Sequence, residues 1–109
     1  MSDSPIPGPA AGPTGESFAD FEAAALAEGF DEVLERRWAP NQVLDTHTHP
    51  FSVRALVVAG EMWLGCGEET RHLVAGDRFE IGFEQPLTER YGSDGAVFWA
   101  ARRRAVTGS

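Results

Sequence analysis

Asp45-Thr46-His47-Thr48-His49-Pro50-Phe51-Ser52-Val53-Arg54-Ala55-Leu56-Val57-Val58-Ala59-Gly60-Glu61 is the most informative stretch of the chain. Its second half, Val53 to Ala59, is apolar at six of seven positions. A short run of that kind is buried on both faces, which predicts a central strand. Arg54 is the one charge in it and needs a partner or a route to solvent. Gly60-Glu61 follows as a turn signal. Outward from this stretch the apolar period stays at two, which predicts strands near 32–38, 42–48, 53–59, 61–66, 70–75, 77–81, 87–91 and 96–103. Breaks fall at Gly65 to Glu69, Gly76-Asp77 and Gly92 to Gly95. Short strands with tight turns predict an all-β sandwich or barrel rather than an alternating α/β fold.

Upstream of the strands the pattern differs. Ser17 and Asp20 form an S-x-x-D start, Phe18, Phe21 and Ala25 share one helical face, and Gly29 is a natural stop. A short helix over 18–28 is predicted. Residues 1–16 hold four prolines and little to bury, so they are expected to be a disordered tail ahead of a domain at 17–105.

The 109 residues fit one domain, and the net charge is −8. Residues 1–52 carry nine acids against two arginines, whereas residues 53–109 carry eight against seven. This acidic balance argues against a nucleic-acid partner, because phosphate contacts need a basic face. The run Arg102-Arg103-Arg104 is too small to change that and reads as a solvated end or an ion pair with the acidic helix. All nine basic residues are arginine, which excludes lysine Schiff-base chemistry and a P-loop. No apolar run is long enough for a membrane helix, and no secretory signal is visible. The single cysteine, Cys66, cannot form an internal disulfide, so a cytoplasmic location is expected. With no activating neighbour in sequence, Cys66 reads as an inert thiol.

Two of the three histidines, His47 and His49, are two residues apart. On a strand they point to one face, where both rings can reach one metal ion. A polar sheet face without metal fits the same spacing. The segment His47 to Tyr91 resembles the cupin superfamily, small jelly-roll β-barrels. His47 and His49 match the two histidines of the first cupin motif and Gly60 its closing glycine, while Gly76-Asp77-Arg78-Phe79-Glu80-Ile81 looks like the start of the second motif. The resemblance implies a cupin jelly-roll barrel with a short N-terminal helix. It also implies a divalent metal such as Fe, Zn, Ni or Mn.

Two positions depart from the family pattern. Val53 stands where the motif has its metal-binding glutamate, and Leu87 stands where the second motif has its histidine. Glu89 lies two residues beyond Leu87 on the same strand face, so it is the candidate third ligand. An ion pair between Glu89 and an arginine is the competing reading. Asp45, with the parity of His47, is placed to orient an imidazole. Val53, Leu87, Trp63 and Tyr91 are the expected walls of a ligand cavity, and no catalytic residue is assigned. His72 reads as a surface histidine. The expected function is binding a divalent metal through His47 and His49, with action on a small organic molecule. A metal-free small-ligand or sensory module with an apolar cavity is the alternative, and a filled structural barrel is a third reading. A homodimer is expected, because exposed strand edges are commonly paired across a two-fold axis.

Overall fold

The computed structural model describes residues 15–104, so the predicted tail lies, but for its last two residues, outside the described residues. Ser17 caps helix α1 (Phe18–Ala27): its hydroxyl accepts from the Asp20 amide at 3.0 Å, and the Asp20 carboxylate accepts from the Ser17 amide at 3.2 Å. Six strands follow: β1 (Glu32–Trp38), β2 (Val43–His47), β3 (Phe51–Cys66), β4 (Glu69–Val74), β5 (Arg78–Ile81) and β6 (Leu87–Arg104). All their pairings are antiparallel.

The long strands β3 and β6 pair from Phe51↔Arg104 to Gly65↔Thr88. The free edge of β6 takes β1 along its C-terminal half and β2 along its N-terminal half. The free edge of β3 takes β5 and then β4. Each half of the sheet is therefore four strands wide. One half is β1-β6-β3-β5 and the other is β2-β6-β3-β4. Both halves feed a single core, in which Val53, Ala55 and Phe79 of the first meet Met62, Leu73 and Leu87 of the second. This is the expected jelly-roll arrangement with its short leading helix.

The breaks expected at Gly60-Glu61 and Gly92 to Gly95 are not breaks. The predicted strands 53–59 and 61–66 are one strand, β3, and 87–91 and 96–103 are one strand, β6. The glycines make bulges instead of turns. Register shifts fall between Val57 and Ala59 and between Gly60 and Met62, and Gly60 and Gly95 sit at φ +76° and +70°. By contrast, 70–75 and 77–81 are separate strands, as predicted, joined by a turn at Gly76 and paired with opposite ends of β3.

The helix packs on the outer face of the first half. Phe21, Ala25 and Phe30 bury against Leu56, Trp99 and Ala101, and Phe18 meets the Trp99 ring edge-on at 5.6 Å. Full burial of a side chain such as Phe21 contributes roughly 1.5–3 kcal/mol. Leu56 faces the helix while Val57 faces the inner core, so β3 is covered on both sides as its composition predicts. Arg54 finds its partners in Glu28 at the end of the helix and Glu80 on β5. Of the terminal arginines, Arg102 pairs with Glu32 at 3.2 Å and Arg103 donates to the Glu28 carbonyl at 2.7 Å, so the run closes onto the segment around the helix end.

Candidate metal centre

β2 ends at His47, so His49 lies in the connection to β3, and the same-face spacing expected of two residues on a strand is not what brings the pair together. A register irregularity between Leu44 and His47 ends the regular pairing, and Pro50 restricts the backbone of His49. The two rings still converge, edge to face, with centroids 5.0 Å apart. The inner ring of Phe51 stacks on His49 at 5.1 Å and fixes its plane.

Across the sheet, Leu87 is the register partner of His47. Glu89, two residues on, is thus a diagonal neighbour on the same face, within reach of a long side chain. Its carboxylate lies 3.0 Å from His47 Nε2. One donor atom from each of His47, His49 and Glu89 lies within 4.8 Å of the other two. The competing pairing of Glu89 with Arg54 does not occur, since Arg54 is on the outer face with Glu28 and Glu80.

Hydrogen bonds prepare His47 and Glu89. The Asp45 main-chain carbonyl lies 2.7 Å from His47 Nδ1. A carbonyl only accepts, so Nδ1 carries the proton and Nε2 is directed at Glu89. Asp45 does orient the imidazole, through its backbone and not its side chain. The buried Tyr91 hydroxyl donates to the other Glu89 oxygen, and burial with the adjacent carboxylate holds the phenol well above the ordinary tyrosine range. Glu89 itself is only 6% exposed, the one buried charged side chain among the described residues. His49 Nδ1 is buried and makes no hydrogen bond among the described residues. Buried polar atoms are rarely left unpaired, so this nitrogen is suited to an external partner. Burial pushes the His49 pKa below its usual value, and the neighbouring His47 adds to the effect. The neutral form, the one that binds metals, is therefore favoured. Two imidazoles and one carboxylate are the donor set of facial-triad metal sites, and the residues present fit such an ion.

A pH dependence follows from His49. Folding lowers its pKa, so the unfolded chain takes up the proton first. The penalty is absent above the ordinary histidine value of 6.5, starts as the pH falls through it, and is complete only below the lowered folded value. Thermal melts across pH 5 to 8 are expected to show stability falling below about pH 6.5. A His49→Phe variant, which keeps the stack on Phe51, should flatten that fall. An unchanged profile in the variant would disprove the assignment.

The three groups line a cavity of about 160 Å³. Phe51, Val53, Phe79, Ile81 and Phe98 form its apolar wall, and Arg36, Trp38 and Arg102 complete the lining. Val53 is part of that wall. Leu87 and Tyr91 are buried in the adjoining core but do not line the cavity, and Tyr91 acts through Glu89. Trp63 is on the opposite face, stacked on His72 at 4.6 Å with the Arg90 guanidinium 4.0 Å from its centroid. The register shift between Val57 and Ala59 explains the displacement: odd residues face inward up to Val57, and even residues, Met62 and Leu64, face inward after it. His72 is a surface group paired with Glu61 at 2.7 Å, and burial raises the Cys66 thiol pKa, which keeps that thiol inert. Sequence reasoning missed Arg36, Trp38 and Arg102. The alternation of Phe98, Ala100 and Arg102 carried a signal for one of them, but the cluster Arg102 to Arg104 read as a terminus.

No protein-family model and no curated protein matches the sequence. Solved structures do match. A structure of the DMSP lyases RdDddP and RnDddQII is similar over 71% of this chain, with a TM-score of 0.63 and 19% identity. This chain spans only 40% of that lyase chain. A conserved protein with a double-stranded β-helix domain from Klebsiella pneumoniae subsp. pneumoniae gives a TM-score of 0.58 at 23% identity, covering 70% of this chain and 69% of its own. An RmlC-like cupin from Shewanella frigidimarina gives 0.59 at 19% identity, covering 69% of this chain and 67% of its own. At such identities the likeness is one of fold. Two long bulged strands, four-stranded halves around one core and these structural neighbours make the chain a small cupin-fold protein.

Proposed function

We propose that the protein binds one divalent metal ion through His47, His49 and Glu89 and acts on a small organic molecule in the adjoining cavity. The observation that carries this reading is the convergence of three donor atoms within 4.8 Å, one imidazole nitrogen of His49 being buried without a partner. A bound ion of this class, such as Fe, Zn, Ni or Mn, supplies a Lewis acid with open positions for a substrate oxygen. The chain's own groups do the rest. The Asp45 carbonyl fixes the tautomer of His47, and the Tyr91 hydroxyl holds the Glu89 carboxylate. Phe51, Phe79 and Phe98 give the cavity an apolar wall for a carbon body. That a DMSP lyase shares the fold supports an enzymatic use of such a barrel. Among the described residues no helix is long and apolar enough to cross a membrane. We further place the protein in the cytoplasm as a homodimer, with the outer edges of β1 and β4 as the surfaces for pairing.

The apolar wall favours one second reading, a metal-free module for a small apolar ligand. Metal content separates the two. Elemental analysis of the purified protein, before and after reloading with Fe, Zn, Ni or Mn, is expected to give near one ion per chain in the native protein and none in His49→Ala. A native protein that holds none after reloading would leave the metal-free module.

A further inference from the structure

The cavity that the metal-binding residues line is also positively charged. Arg36 on β1 and Arg102 on β6 both line it. Arg36 forms no ion pair with any described residue, and its guanidinium lies 5.0 Å from the centre of the Trp38 ring. Arg102 shares its charge with Glu32, a half-exposed side chain, at 3.2 Å. Its guanidinium lies 4.5 Å above the inner ring of Phe51. Trp38 lines the same cavity, stacked on Tyr91 at 5.2 Å, and its indole N–H is buried with no acceptor among the described residues. Buried donors are rarely left without an acceptor, so this N–H is suited to one supplied by a ligand.

We infer that the molecule taken by this cavity is a small carboxylate, its carboxylate oxygens held by Arg36, Arg102 and the Trp38 indole N–H and its carbon body lying on the aromatic wall. The inference deepens the proposed function and rests on it for what happens at His47, His49 and Glu89. Guanidinium groups match a carboxylate in shape and charge. The wall of Phe51, Phe79 and Phe98 selects a carbon body, which an inorganic oxyanion lacks. The volume of about 160 Å³ limits that body to a few carbons. The other arginine-rich hollow, around Arg54 and Arg78, is already neutralised by Glu28, Glu80 and Glu16.

Calorimetric titration of the full-length protein with butyrate, with its neutral isostere butyramide and with inorganic phosphate tests this, alongside metal analysis of each variant. Butyrate should bind saturably in the millimolar range and butyramide about tenfold or more weakly. Arg36→Gln should weaken butyrate about tenfold or more, and Trp38→Phe, which keeps the ring but not the N–H, about fivefold. Metal content should stay at the wild-type level in both. Arg102→Gln, expected to weaken butyrate in the same direction, replaces Arg36→Gln if that variant does not fold. Equal binding of butyrate and butyramide would overturn the inference, as would phosphate binding as tightly as butyrate, or butyrate affinity unchanged in all folded variants. A metal-free protein that keeps the butyrate pattern would remove the metal reading and leave the carboxylate site. A metal-loaded protein that ignores butyrate would do the reverse.

Discussion

Glu89→Gln is expected to lower divalent-metal affinity at least about 100-fold, the upper end of what losing a mere outer-shell partner costs. Glutamine keeps the volume of Glu89 and one oxygen to accept from the Tyr91 hydroxyl, so the buried pair with β6 survives. What disappears is the one negative charge among the three donors. Two imidazoles alone are a poor site for most divalent ions. The melting temperature of the metal-free variant should stay within about 5 °C of wild type, because packing is unchanged. Glu89→Ala would confound the result, since it orphans the Tyr91 hydroxyl and opens a cavity at a side chain that is only 6% exposed. Chelator-competition titration measures the affinity. Equal affinities for wild type and Glu89→Gln would show that Glu89 is not a ligand.

Gly60→Ala should cost about 3 kcal/mol or more of folding stability, a large share of the roughly 5–15 kcal/mol that small domains possess. Two effects add. At φ +76° an alanine adopts a left-handed backbone, worth about 1–2 kcal/mol. Its Cβ would also collide with the backbone of Gly95 and come within 2.8 Å of the Ala96 Cα. Those atoms belong to the partner strand, so relief requires shifting β6 against β3, and overpacking of this kind costs about 1–3 kcal/mol. Gly67→Ala is the control. Gly67 sits at φ +62° with open space around it, so only the backbone cost of about 1–2 kcal/mol applies. Urea unfolding of both variants isolates the collision. Similar losses in the two would show that Gly60 is needed for its dihedral angles alone.

Gly60 also marks the limit of what the sequence reveals. A glycine between two apolar runs reads equally as a turn or as a bulge, because local pattern does not contain the partner strand. The pairing Gly60↔Ala96 decides it, and that pairing joins residues far apart in the chain. The register shift just ahead of it, between Val57 and Ala59, reverses the parity of β3, which is why Trp63, beyond the shift, was misplaced while Val53, before it, was not. The helix was legible because its signals are local: Ser17 and Asp20 cap it and Gly29 stops it. Of the site, the histidine pair was visible as a two-residue spacing and Glu89 through its parity with Leu87. Arg36 and Trp38 come from β1, whose alignment with β6 nothing in sequence specifies, so their part in the cavity lining stayed hidden.

One strand, β6, bears on the order of events during synthesis. It supplies Glu89 and Arg102, and it is the hydrogen-bonding neighbour of β1, β2 and β3 alike. Until Leu87 to Arg104 emerge from the ribosome, β1 and β2 have no strand to dock on and the two histidines stand apart from their carboxylate. A nascent chain therefore offers metal ions only loose imidazoles. Loading of the ion, like closure of the sheet, belongs after the last strand has been made, when the site appears whole.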